Sequence, residues 1–297
     1  GLLCQRVEMR YDFIRQQMKA YPVTVLCRVM RVSRSGFYNY RRHYKDRTHD
    51  PQQRALEALV RSIFNASKAT YGSRRIVKKL KTAGHNVGRY RVRSLMRKLK
   101  LRAKTPRRYR VTTNSNHSYR IASNLVNRQF TVEAPNKVWT TDITYVWTLQ
   151  GWSYLAVVMD LFSRQIVGWA INRHLKVELA LDALMMAYWR RKPPPGLIHH
   201  SDRGIQYACD RYQKQLEQFK MIPSMARKGD CWDNAPVERF FRSLKHEYLL
   251  PCKPANGQAA KRESLEYITF YNADRLHSSL DYLSPMEFER TKQLRAA

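Results

Sequence analysis

The sequence predicts a layered α/β domain preceded by small all-α modules, and three observations carry that prediction. Residues 137 to 173 are dominated by Val, Ile, Thr, Trp and Tyr, with turn-type pairs at Gln150-Gly151 and Ser163-Arg164, the composition of an antiparallel strand meander. Residues 177 to 248 then alternate helix-period segments with short apolar runs, as a sheet with crossover helices does. Residues 1 to 130 show helical periodicity and a strongly basic balance, 32 Lys and Arg against 5 Asp and Glu.

That balance restricts the partner. The 297 residues hold 55 Lys and Arg against 23 Asp and Glu, a formal +32, and self-repulsion on this scale is ordinarily relieved by a polyanion, so nucleic acid is expected. The first 130 residues carry about +27 of the charge and the remainder about +5, which suggests separate duties. Cys4, Cys27, Cys209, Cys231 and Cys252 are widely spaced without a C-x-x-C pair. No structural zinc is therefore expected, and a reducing cytosol is the natural home. No apolar stretch approaches the roughly 18 residues of a membrane span, and no signal-peptide pattern opens the chain, so a soluble protein with no membrane partner is expected. An opening Gly1 with Met9 inside leads us to expect a fragment of a longer product.

Taken in order, residues 1 to 45 read as a helix-turn-helix-like segment. Val25, Leu26 and Val29 give a first apolar pattern, Val32-Ser33 a break with Ser33 as N-cap, and Phe37 and Tyr40 a second pattern, with Arg28, Arg31, Arg34, Arg41 and Arg42 flanking. A solvated basic helical hairpin is the plain alternative. Residues 46 to 106 read as a basic three-helix DNA-binding domain, with helices over 54 to 66, 71 to 84 and 88 to 100. In the third helix Val92, Leu95, Met96 and Leu99 form one stripe. Arg89, Arg91, Arg93 and Arg97 are left for solvent or phosphate, as are Arg74 and Arg75 in the second helix. Residues 107 to 131 are polar, basic and aperiodic, a linker lying on or near DNA.

Residues 132 to 250 form the catalytic half. Strands over 137 to 148, 151 to 163 and 164 to 173 make the meander, and a helix over 177 to 191 is stopped by Pro193 to Pro195. An apolar strand then ends at Asp202, followed by a helix over 209 to 220, a strand near 221 to 225, and a helix carrying Glu238. This order describes a ribonuclease-H-like α/β layer. Residues 251 to 297 read as a C-terminal helical extension, in which Tyr271, Asn272, Arg275 and His277 serve either DNA contact or docking of the last helix.

Three acids stand out. Asp142 lies in mid-strand, where a carboxylate is costly unless something uses it; Asp202 closes a strand; Glu238 lies in the first turns of a helix. Asp233 or Asn234 is expected to cap that helix. On a helical wheel Glu238, Arg242 and Lys245 fall within about 60° of one another, which reads either as a surface i, i+4 pair or as a metal ligand with phosphate-binding neighbours. Asp160 and Asp182 read as structural. His199, His200, Ser201 and Asp202 are not a hydrolase triad, because strand neighbours point to opposite faces; His200 is a candidate hydrogen-bond partner behind the metal ligands. In the loop 227 to 234, packing is expected for Trp232, with stacking on an unpaired base as the alternative.

The stretches WTTDITYV, HHSDRGIQYAC, SMARKGDCWDNAPVERFFRSLKHE and YNADRLHSSLDYLSP resemble the integrase catalytic core of bacterial insertion-sequence transposases of the IS-three family, second reading frame, itself similar to retroviral integrases. The resemblance runs from about residue 20 to 292. It implies a catalytic triad of Asp142, Asp202 and Glu238, and Lys245 occupies the place of a basic residue seven positions after the Glu. It further implies 3′-end cleavage and strand transfer of DNA, with a circular intermediate, in the bacterial cytoplasm on nucleoid DNA. The retroviral zinc-binding amino-terminal module has no counterpart here.

Such chemistry needs an activated nucleophile and neutralised phosphate charge, which two Mg²⁺ or Mn²⁺ ions on three carboxylates supply. The expected partners are double-stranded DNA, both terminal inverted repeats and target, and a second copy of the chain, because two ends must be held together. Arg203, Arg227, Lys228, Arg239, Arg242 and Lys245 are the expected DNA contacts around the core. A metal-dependent nuclease on the same fold and a DNA-binding regulator with an inactive core are the alternatives; the intact acids disfavour the second and the basic modules the first.

Overall fold

The computed structural model describes residues 6–49, 51–104, 119–228 and 230–296; the expected linker lies outside them as far as residue 118. The chain divides into two compact units, residues 1–62 and 63–297.

In the first unit, α1 (Val7–Gln17), α2 (Val23–Val29) and α3 (Arg34–His49) enclose Ile14, Leu26, Cys27, Met30 and Phe37. The Ser33 hydroxyl accepts the Gly36 N–H at 3.0 Å, as an N-cap does. Val25 and Val29, expected on the apolar stripe, are exposed. Leu26 is buried as expected, and the rest of the buried stripe falls on Cys27 and Met30, which share its core with Ile14 of α1.

Next come α4 (Pro51–Ala66), α5 (Ser73–Thr82) and α6 (Arg89–Lys98). Ile76, Leu80, Val92, Leu95 and Met96 are buried, the i, i+3, i+4 spacing of two amphipathic faces. Gly84 takes a φ of +84° after α5, a conformation open to glycine at no steric cost.

The larger unit is built on β1 (Val138–Thr148), β2 (Gly151–Asp160), β3 (Ile166–Asn172), α7 (Val177–Arg191), β4 (Ile198–Ser201), α8 (Ile205–Ala208), α9 (Asp210–Gln218), β5 (Ile222–Met225), α10 (Ala235–Leu244), α11 (Leu250–Cys252), α12 (Gly257–Ala273) and α13 (Pro285–Ala296). The sheet order is β3-β2-β1-β4-β5. β1, β2 and β3 are antiparallel neighbours, while β4 runs parallel to β1 and β5 parallel to β4. This is the ribonuclease-H-like topology that the element order predicts.

Period-two alternation on β2 separates the two faces. Leu155, Val157 and Met159 join Val237, Phe240, Phe241 and Leu244 of α10 and Tyr267, Ile268 and Tyr271 of α12. Ala156 and Val158 join Leu179, Ala183, Leu184 and Ala187 of α7, with Tyr207, Tyr212 and Leu216. Gly168 lets α7 approach β3 closely, since a Cβ there would stand 2.7 Å from the Ala187 Cβ. The boundary drawn at residue 250 divides a continuous core, because α12 packs with β2 and β3. The Asn272 side chain seals this contact, accepting the Ile166 N–H and donating to the Ile166 carbonyl, both at 2.9 Å.

Candidate active site

Strand register brings the two aspartates together. Thr140 of β1 stands beside His200 of β4 in parallel pairing, so Asp142 and Asp202 each lie two residues further along neighbouring chains. Asp142 shares its strand parity with Val146, which packs on the α10 face, so its side chain belongs to that face. Glu238 stands in the first turn of α10, whose apolar stripe lies on the same side of the sheet.

The electrostatics record the convergence. Burial, then the Asp202 charge, holds the Asp142 carboxyl well above the usual range; Glu238 adds to this, while the Ile143 N–H and Lys245 oppose it. Glu238 is raised by burial and then by Asp202. Lys245 is lowered by burial and partly restored by Asp142. Asp142 thus feels Asp202, Glu238 and Lys245, while Glu238 feels Asp202 and Lys245 feels Asp142.

Among the described residues no three His, Cys, Asp or Glu side chains are gathered as a metal-ligand set. Asp142 turns Oδ1 to the Ile143 N–H at 2.7 Å, and Asp202 turns Oδ1 to the Gly204 N–H at 2.9 Å. The donor chemistry fits a divalent cation, since the oxygen-only set suits Mg²⁺ or Mn²⁺.

The other expected site residues separate into groups. Arg239 and Arg242 are exposed on α10, and Lys228 is exposed in the preceding loop. Lys245 is part-buried and opens a π-helical turn, Lys245–Leu249. Arg74, Arg89, Arg91, Arg93 and Arg97 are exposed on α5 and α6. Arg75 is partly buried, its guanidinium 5.5 Å over the Tyr71 ring, and Arg203 donates to the Ala226 carbonyl at 2.7 Å. Arg227 is committed to the protein itself: its guanidinium grips both oxygens of Asp233, at 2.9 and 2.7 Å.

Four expectations need correction. His200 does not reach a carboxylate: its Nε2 donates to the Asp233 carbonyl at 3.1 Å and its Nδ1 accepts from Ser224 Oγ at 2.9 Å, which uses both ring nitrogens. Asp233 is no helix cap: its buried carboxylate also accepts Asn124 Nδ2 at 2.9 Å, Arg128 Nε at 3.0 Å and the Arg227 N–H at 2.9 Å. Asn234 occupies the N-cap position but makes no side-chain cap bond; it bonds to β1. Trp232, expected to pack, is 68% exposed.

Sequence reasoning missed Thr141 and Tyr207. The Thr141 hydroxyl donates to the Val157 carbonyl at 2.8 Å and lies 3.3 Å from the buried Tyr207 hydroxyl. That hydroxyl is pushed well up by burial, with Tyr212, Asp142 and Asp202 adding to it. The available signal was a pair of hydroxyl residues immediately before an acid in an otherwise apolar strand.

The chain resembles known proteins along most of its length. Two integrase core domain models match residues 132–231 and 220–285, and an HTH-like domain model matches residues 51–109. The insertion element IS600 uncharacterized 31 kDa protein of Shigella sonnei is 43% identical over 274 residues, covering 92% of this chain and all of that one. Transposase InsF for insertion sequence IS3A of Escherichia coli (strain K12) is 38% identical over 283 residues, covering 95% and 98%. Among solved structures, the HTLV-2 integrase catalytic core domain in complex with magnesium is similar at 18% identity and a TM-score of 0.42, covering 52% of this chain and 97% of that one.

Proposed function

The chain belongs to the IS-three family of insertion-sequence transposases, and on that premise we propose that it cleaves the 3′ ends of its element and joins them to DNA with Asp142, Asp202 and Glu238 as metal ligands. It is a polynucleotidyl transferase with an integrase core and an HTH-like domain. The observation that carries the residue-level reading is the strand register that sets Asp142 and Asp202 at matching positions of neighbouring chains, with Glu238 in the first turn of α10.

Two Mg²⁺ or Mn²⁺ ions on these carboxylates would lower the pKa of a water or 3′-OH and offset charge at the phosphorus. The chain's own part is to orient and to neutralise. Lys245, part-buried beside Asp142, balances carboxylate charge and faces the phosphate path with Arg242. Arg239 and Arg242 offer charge-assisted bonds to DNA oxygens. Trp232, exposed ahead of α10, offers a ring for an unstacked base at the cut end. Element ends and target DNA are the substrates, held by at least two copies of the chain so that both ends are present.

The test is incubation of the chain with labelled element ends and Mg²⁺. Joined products support transposition, hydrolysis alone supports a nuclease, and binding without reaction supports a regulator.

A further inference from the structure

The dipeptide Asp233-Asn234 touches every element that carries one of the three acids. The Asn234 side chain, 4% exposed, accepts the Thr140 hydroxyl and donates to the Thr141 carbonyl at 2.9 Å; these two residues directly precede Asp142. The Asp233 main-chain carbonyl accepts the His200 Nε2–H at 3.1 Å, and His200 lies two residues before Asp202. Glu238 follows Asn234 by four residues, about one helical turn.

The dipeptide is itself held firmly. The Asp233 carboxylate, with none of its surface exposed, accepts from Arg227, Arg128, Asn124 and the Arg227 main chain. His200 is braced from behind by Ser224, whose hydroxyl accepts the Leu125 N–H at 2.9 Å. Residues 124 to 128, ahead of the sheet, and the loop before α10 are thereby locked to one carboxylate.

The geometry points to Asn234, seated by Asp233, as the positioning residue that sets the spacing of Asp142, Asp202 and Glu238 for metal binding. This rests on the reading of those acids as metal ligands. Apolar packing holds α10 against the sheet, and the Asn234 amide adds the polar tie that fixes the start of the helix against the residues next to Asp142. An asparagine is specifically suited, since one amide accepts from Thr140 and donates to Thr141 at once. Aspartate there would lose the donor, and an apolar residue would leave the Thr141 carbonyl and Thr140 hydroxyl buried and unpaired. A helix-cap role is set aside by the absence of a cap bond.

The experiment compares Asn234→Ala, Thr140→Val and Thr140→Ser with the unaltered full chain. Mn²⁺ binding to the DNA-free protein is followed by electron paramagnetic resonance, and the Mg²⁺ concentration for half-maximal end cleavage is measured at saturating DNA. Outer partners of metal ligands typically alter metal affinity by about 10–100-fold. We expect a weakening of that order in Asn234→Ala and a smaller one in Thr140→Val. Thr140→Ser should restore near-normal affinity, and DNA affinity should stay within about twofold in all three. Unchanged Mn²⁺ affinity and Mg²⁺ dependence in a folded Asn234→Ala chain would overturn the inference. If that chain fails to fold, the Thr140 pair decides: equal Val and Ser variants overturn it, and a Val-specific loss supports it. Glu238→Gln serves as the control, since cleavage by that variant would overturn the site reading itself.

Discussion

Buried ionisable residues in this core keep or lose their charge according to their partners: Asp233 stays ionised and His199 stays neutral. Asp233 is held far below the ordinary carboxylate range, first by the Arg227 side chain. It therefore contributes stability above the usual aspartate pKa that is lost only as pH falls through its own lowered value. Mutation removes that contribution more readily than acid: Asp233→Ala takes away the shared acceptor of Arg227, Arg128 and Asn124, leaving the two half-exposed arginines only Asp230 among the described residues, and is expected to cost about 2 kcal/mol, measured by urea unfolding at pH 7. His199 has a neutral partner instead, the Tyr212 hydroxyl 3.2 Å from its Nε2. Burial, then the His200 charge, lowers it to about 3, so the unfolded chain binds a proton that the folded chain refuses. Folding stability should consequently fall as pH drops from about 6.5, by about 1.4 kcal/mol per unit for each such histidine. Urea unfolding at pH 7.5, 6 and 5 checks this; a flat profile would show that the buried histidines do not titrate with unfolding. None of this was legible from residue types: a single Asp in a loop looks like a cap, and only the fold brings Asn124 and Arg128 to it from about a hundred residues away.

At the scale of the element, what was legible is what depends on local period. The strands of 137 to 173 announce themselves through β-branched and aromatic residues, and the α6 stripe of Val92, Leu95 and Met96 through its spacing. What was not legible depends on which face another element covers. Val25 and Val29 look like core, yet the first unit buries Leu26, Cys27 and Met30 with Ile14. The end of the catalytic core at residue 250 looked natural because α12 has a weak apolar pattern, yet Asn272 pairs with Ile166 as a strand would. The outer face of α6 carries a prediction of its own. On a wheel of 100° per residue, Tyr90 stands opposite the buried stripe, flanked by Arg97, Arg93 and Ser94, and it is 85% exposed. A large aromatic so presented among arginines suits a helix lying in a DNA groove. Arg97→Gln should lower the slope of log affinity against log salt by about one, whereas Tyr90→Ala should weaken binding to element ends more than to unrelated duplex. Equal losses on both DNAs for Tyr90→Ala would assign that residue to backbone contact alone.

For the whole molecule, the charge distribution and the fold assign separate work to separate parts of one chain. The basic first 130 residues carry most of the +32, while the remainder, which holds Asp142, Asp202 and Glu238, carries about +5. Among the described residues no helix is long and apolar enough to cross a membrane. The central claim is that Asp142, Asp202 and Glu238 act together on DNA delivered by the basic helices. The most direct measurement assays strand joining and DNA affinity side by side for Asp142→Asn, Asp202→Asn and Glu238→Gln, with labelled element ends and Mg²⁺. Each variant is expected to lose joining and cleavage by at least about a thousandfold, about 4 kcal/mol of transition-state stabilisation, while binding element ends within about twofold of the unaltered chain. Cleavage retained by any of the three would contradict the account.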